Sequence, residues 1–174
     1  MENQPKGFEN YPAWIVIVMN LVTFISYGIG AYILFRLGVA WGFLYVLYIL
    51  YVESTIYREG CKYCYYYGKV CAWGRGKIAA LFIKKGDPKV FCERKVTFVK
   101  LLPQLLGMVF PLIGGIILLC LSFSWLIVGL MIIPWLIWFL VYPITFGKLA
   151  CPNCKQGSIC CPANDFFSGK TKRK

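Results

Sequence analysis

The chain has 174 residues, of which 59% are hydrophobic, with a formal net charge of +12 and no histidine. Its mean hydropathy is +0.65, and soluble domains hold only about 45–50% apolar residues, so an ordinary water-soluble fold is excluded. The missing histidine removes the commonest general base, the bis-histidine haem site and the mixed catalytic zinc sites.

Residues 1–12 form a short polar arm ending at Pro12. Four apolar blocks follow, at residues 13–35, 41–57, 101–122 and 125–147. Each is long enough to cross about 30 Å of hydrocarbon, which takes roughly 20 residues of helix, and none keeps the polar stripe of a soluble helix. The first block is too long for a secretory signal, follows Glu2 and Glu9, and is followed by no small-residue cleavage site. The sequence therefore predicts an all-α integral membrane protein of four transmembrane helices, paired as hairpins over residues 13–57 and 101–147, with a small cysteine-rich cap.

In the first helix Asn20, Thr23, Ser26, Tyr27 and Gly30 share one face. Small and polar residues at that spacing predict a helix–helix contact in lipid. Tyr45, Tyr48 and Tyr51 share a side of the second helix, where packing or an interfacial belt accounts for them. Pro111, Pro134 and Pro143 should bend the third and fourth helices, and Gly107 and Gly114 should admit a close neighbour. Cys120, alone among apolar residues, is expected to be a small buried hydrophobe.

Between the hairpins lies a basic segment, residues 58–100, with eleven lysines and arginines against three acids. The tail, 148–174, has six basic residues against one acid. Loops rich in lysine and arginine stay on the cytosolic side, so the arm, this loop and the tail are all expected there. The run from Lys77 to Lys85, apolar between Lys77 and the pair Lys84 and Lys85, predicts a short helix in the membrane interface with its lysines at the head groups. A strand or buried turn in a small cytosolic fold is the competing reading.

Eight cysteines lie outside the spans: Cys61, Cys64, Cys71 and Cys92 in the loop, and Cys151, Cys154, Cys160 and Cys161 in the tail. Two residues between cysteines let a tight turn aim both sulfurs at one ion, and the chain has two such pairs, Cys61/Cys64 and Cys151/Cys154. Palmitoylation beside the bilayer is a blander use of such thiols, and a reducing cytosol disfavours stable disulfides. Metal binding is the preferred reading, with Lys62, Lys69, Arg75, Lys77 and Lys155 expected to help ionise the thiols. The two pairs are expected to share one ion, tying tail to loop, although two local four-cysteine sites are also possible. Adjacent Cys160 and Cys161 suit a single ion poorly, which leaves at least one spare.

The five residues Cys151-Pro152-Asn153-Cys154-Lys155 resemble the knuckle of zinc-ribbon and rubredoxin-like sites, where proline follows the first cysteine. Zinc is the expected metal, because a closed all-cysteine site is the usual structural arrangement. An iron–sulfur cluster is the alternative, since Cys161-Pro162 resembles the end of a ferredoxin run.

No catalytic machinery is recognisable. Ionisable groups are missing from the spans apart from Glu53, which argues against an ion-coupled transporter, and no phosphate-binding glycine motif occurs. The expected function is a membrane scaffold or complex subunit whose metal centre organises a surface for a protein partner or lipid. The alternative is a membrane redox or metal-handling protein. Four-helix thiol–quinone oxidoreductases are similar in outline, but their reactive cysteines face the oxidising side. Anionic head groups are expected to meet Lys77, Lys84, Lys85, Lys170, Lys172, Arg173 and Lys174. The basic end also resembles a di-lysine retrieval signal. Nucleic acid is not an expected partner.

Overall fold

The structure, a computed structural model, describes residues 7–93 and 98–161. Pro162 and the basic end with Lys170, Lys172, Arg173 and Lys174 lie outside the described residues. Four helices are long and apolar enough to cross a membrane: Ala13–Leu37, Val39–Tyr63, Val99–Leu121 and Trp125–Asn153. No strand occurs among the described residues.

Helix α1 runs Ala13–Leu37, and after Gly38 alone α2 runs Val39–Glu59. In the basic segment α3 (Arg75–Phe82) and α4 (Lys89–Glu93) form. The 77–85 run is thus helical over most of its length, and the strand alternative is overturned. Helix α5 spans Phe98–Leu121 and α6 Trp125–Leu136. A π-helical stretch Ile137–Val141, a short α7 (Tyr142–Thr145) and a second π stretch Phe146–Ala150 carry the fourth span onward, and α8 (Lys155–Cys160) follows in the tail. The π winding flanks Pro143, whose missing N–H breaks the i→i+4 ladder; wider turns are a common answer to such a break.

Contacts divide the chain into two compact units. One comprises Leu21–Ser54 and the described part of Thr97–Val141. There the small and polar face of α1 is used for packing: Thr23 and Ser26 are buried, and the Tyr27 hydroxyl donates to Glu53 Oε1 at 3.0 Å. A β-carbon added at Gly30 would stand 2.5 Å from the Tyr45 hydroxyl and 2.8 Å from Pro111 Cγ, so only glycine admits α2 and α5 so closely. Gly114 is similarly pressed by Leu34, whereas Gly107 has ordinary space beside it. Gly107 matters through its carbonyl. In an α-helix that oxygen accepts the N–H of residue 111, and Pro111 has none. The Tyr45 hydroxyl supplies the donor at 3.1 Å, and Tyr48 donates to the Pro103 carbonyl at 2.7 Å. Lipid offers no water to a freed carbonyl, so a buried hydroxyl fills the gap. Cys120 is exposed rather than buried. Facing lipid costs a thiol little, so an apolar neighbourhood in sequence does not mark the inner face.

The other unit comprises Thr55–Val96, Tyr142–Lys174 and Met1–Asn20, within their described residues. Its core is Tyr11, Ile15, Met19, Tyr66, Ala72 and Ala150, with Cys64, Cys71 and Cys154 packed against it. The cysteine-bearing segments therefore close around the first two turns of α1.

Candidate metal centre

Each C-x2-C pair begins where a long helix ends. Helix α2 stops at Glu59 and Gly60 leads into Cys61; the π stretch ends at Ala150, directly before Cys151. Both pairs then wind a single 3-10 turn, Cys61–Tyr63 and Cys151–Asn153. The preceding residues match, Gly60 at φ −97°, ψ −66° and Ala150 at φ −90°, ψ −61°. The closing cysteines are both extended, Cys64 at φ −79°, ψ 149° and Cys154 at φ −93°, ψ 113°. In each turn the second cysteine's N–H reaches the first one's carbonyl, at 3.3 Å for Cys64 and 3.2 Å for Cys154. Two segments 90 residues apart thus fold into one local shape.

The two turns also bind each other reciprocally. The N–H of Tyr65, next after Cys64, donates to Gln156 Oε1 at 2.7 Å. The N–H of Lys155, next after Cys154, donates to the Tyr66 hydroxyl at 3.1 Å. In both cases the residue one past the second cysteine is held by the side chain two past the other second cysteine. This exchange relates the turns as a pseudo-pair.

The arm closes the arrangement. Phe8 N–H donates to the Asn153 carbonyl at 2.9 Å, Tyr66 donates to the Phe8 carbonyl at 2.7 Å, and Tyr11 donates to the Ala150 carbonyl at 2.6 Å. Tyr11 N–H reaches the Val70 carbonyl and Val70 N–H reaches Asn10 Oδ1, both at 2.9 Å. Glu9 binds Lys155, which is 7% exposed, and Lys69 at 2.7 Å. Lys155, Lys69 and Tyr65 hold the Glu9 carboxyl far below its usual range, at about 2. Along the sequence the arm is merely polar, and Glu9, Tyr11, Tyr66 and Gln156 carry no local signal of these roles. Nothing in the sequence separates Tyr66, at 2% exposure, from its neighbours Tyr65 and Tyr67.

Six of the eight cysteines form a half-buried group: Cys61, Cys64, Cys71, Cys151, Cys154 and Cys161. Burial pushes the Cys64 thiol up to about 12; the Tyr66 amide opposes this, while Cys154, Cys71 and Cys61 add to it. Burial also raises Cys154, opposed by the amides of Gly157 and Gln156 and by the Tyr11 hydroxyl, with Cys161 acting in the raising sense. Cys151 interacts with both Cys154 and Cys161. Loop and tail thiols therefore lie close enough to influence one another. Amide N–H groups turned toward sulfur are donors that stabilise a thiolate once its charge is matched. Among the described residues, however, no three Cys, Asp or Glu side chains converge to hold one ion. The backbone brings the turns together while the sulfurs stand short of coordination.

Four of the five cations expected to ionise the thiols are engaged elsewhere. Lys69 and Lys155 are committed to Glu9, Lys62 lies over the Tyr63 ring at 5.3 Å, and Arg75 over Trp73 at 5.7 Å. Burial is the largest influence on Cys64 and Cys154 and raises both thiols, the opposite sense to the one expected of those cations. Cys92, on α4, and Cys160, at the end of α8, are joined in a disulfide with Cα atoms 5.2 Å apart. That bond keeps both sulfurs out of any ligand set while it lasts, and it pairs two residues the sequence reading placed among the candidate ligands. Lys77, Lys84 and Lys85 are exposed on and just after α3.

No protein-family model, curated protein sequence or solved structure matches this chain.

Proposed function

We propose that the chain is a multi-pass membrane scaffold or complex subunit, two helical hairpins with a cysteine-rich domain on the cytosolic side. In this reading Cys61, Cys64, Cys151 and Cys154 hold one metal ion, and the surface it organises docks a cytosolic protein. The observation that carries the reading is the reciprocal bonding of two like C-x2-C turns, Tyr65 to Gln156 and Lys155 to Tyr66. Four cysteine sulfurs are the donor set of structural zinc, and amide donors at Cys64 and Cys154 suit bound thiolates. Zinc would supply the positive charge that half-buried thiols lack and would fix the turns' mutual position. The orientation rests on the excess of lysine and arginine in the loop and tail.

The test is metal content of protein purified without oxygen. One zinc per chain is expected, lost on changing any of these four cysteines to serine and kept in Cys120→Ser. Half loss in Cys61→Ser would show separate sites, and metal-free wild type would end the reading. External labelling of Cys61 or Cys151 by an impermeant maleimide on intact cells would reverse the orientation.

A redox or metal-handling role is the second reading, favoured by the Cys92–Cys160 bond in a unit that holds six further half-buried cysteines. A brown protein would favour iron–sulfur chemistry, and a metal-free protein with reversible disulfides would favour thiol exchange.

A further inference from the structure

We infer that α3 is a bilayer-inserted surface helix, with Ile78, Leu81 and Phe82 among the lipid acyl chains and Lys77, Lys84 and Lys85 at anionic head groups. The first support is where α3 begins. Asn20 Nδ2 donates to the Trp73 carbonyl at 3.1 Å, and to the Val16 carbonyl at 2.7 Å. A β-carbon on Gly74, the residue before α3, would touch Val16 Cγ1 at 3.3 Å. Val16 closes the first turn of α1 and Asn20 the second, roughly 5–10 Å beyond its start at 1.5 Å per residue. Trp14 and Ile17, on the same stretch of this membrane-length helix, are exposed and apolar. The start of α3 is therefore held at the depth where α1 already presents an apolar surface, which is the interfacial zone and not free solution.

The second support is which face of α3 is spent. Gly76 and Ala79 are buried, and a β-carbon at Gly76 would overlap the Tyr66 carbonyl, so this side is pressed onto the loop backbone. The Gly68 N–H donates to the Gly76 carbonyl at 2.9 Å, and Tyr67 donates to the Ile83 carbonyl at 2.6 Å, fixing both ends. With the helix so clamped, Leu81 is 76% and Phe82 81% exposed, and Ile78 is exposed beside them. At about 100° per residue these three fall within an arc of about 100°, turned away from the buried pair. A rigidly held apolar face beside a membrane helix needs an apolar phase, and the bilayer is the one that continues from α1. Lysines flanking such a face reach outward to phosphate, as amphipathic interfacial helices do.

This inference does not depend on a bound metal. The full chain, reconstituted in vesicles of phosphatidylcholine and phosphatidylglycerol carrying a diazirine on the acyl chain, is irradiated and mapped by peptide mass spectrometry. Label is expected on Ile78, Leu81 or Phe82 at a level comparable with Ile17, and near background on Asp87. A Leu81→Asp, Phe82→Asp variant should lose at least fivefold of the α3 label with Ile17 labelling unchanged. Background labelling of α3 in the wild-type chain, or crosslinks from α3 only to protein, would overturn it.

Discussion

Replacing Tyr45 with phenylalanine removes one oxygen and opens almost no cavity, so its cost isolates a single hydrogen bond. That bond runs from the Tyr45 hydroxyl to the Gly107 carbonyl at 3.1 Å, the oxygen left without an α-helical donor by Pro111. Side-chain hydrogen bonds between membrane helices average about 0.6 kcal/mol and reach about 1.7. A fully buried orphaned acceptor costs about 1–3 kcal/mol; this bond is part-buried, with Tyr45 itself buried, which places the cost toward the lower part of that range. The expected loss is therefore ~1–2 kcal/mol, or roughly 5–30-fold in the unfolding equilibrium. Tyr51→Phe, on an exposed ring, should change stability by less than about 0.5 kcal/mol. Reversible unfolding in mixed detergent micelles measures each value. The decisive comparison is the double-mutant cycle with Pro111→Ala. Alanine restores an N–H for the Gly107 carbonyl, so in that background Tyr45→Phe should cost about 1 kcal/mol less. Equal costs in both backgrounds would refute the account, as would a Tyr45→Phe cost near zero.

Three further outcomes concern the cysteine-bearing unit. Gln156→Leu strands the Tyr65 N–H and should destabilise the pairing of the turns by about 1–2 kcal/mol, seen as faster proteolysis of residues 151–161 with unchanged membrane insertion. Glu9 is held at about 2 against an ordinary 4.5, so its tie to Lys155 and Lys69 is complete above pH 4.5 and lost as pH falls toward 2. Protection of the same segment from pepsin should drop across that window, and Glu9→Gln should be weakly protected throughout. Cys92→Ser should leave Cys160 open to alkylation without changing the alkylation of Cys61, Cys64, Cys151 or Cys154; a still-blocked Cys160 would mean a different partner.

The four apolar spans were legible in the sequence because lipid demands long uninterrupted apolar runs, and little else produces them. The Thr23, Ser26 and Gly30 face was legible for a related reason: close helix contact in lipid selects small residues. The two C-x2-C pairs announced their own local turns, since that geometry is set within four residues. Other features were decided only by long-range contact. Tyr45 became the donor for a carbonyl 62 residues away, and Gln156 the partner of an amide 91 residues away. Glu9 bound Lys155 from the far end of the chain, taking a cation that local charge counting had assigned to the thiols. Cys92 and Cys160, 68 residues apart, are joined to each other. Solvent and local backbone geometry act on consecutive residues and are written along the chain. Partner choice among tyrosines, lysines and cysteines depends on which distant segment arrives beside them, and that information exists only once the chain has folded.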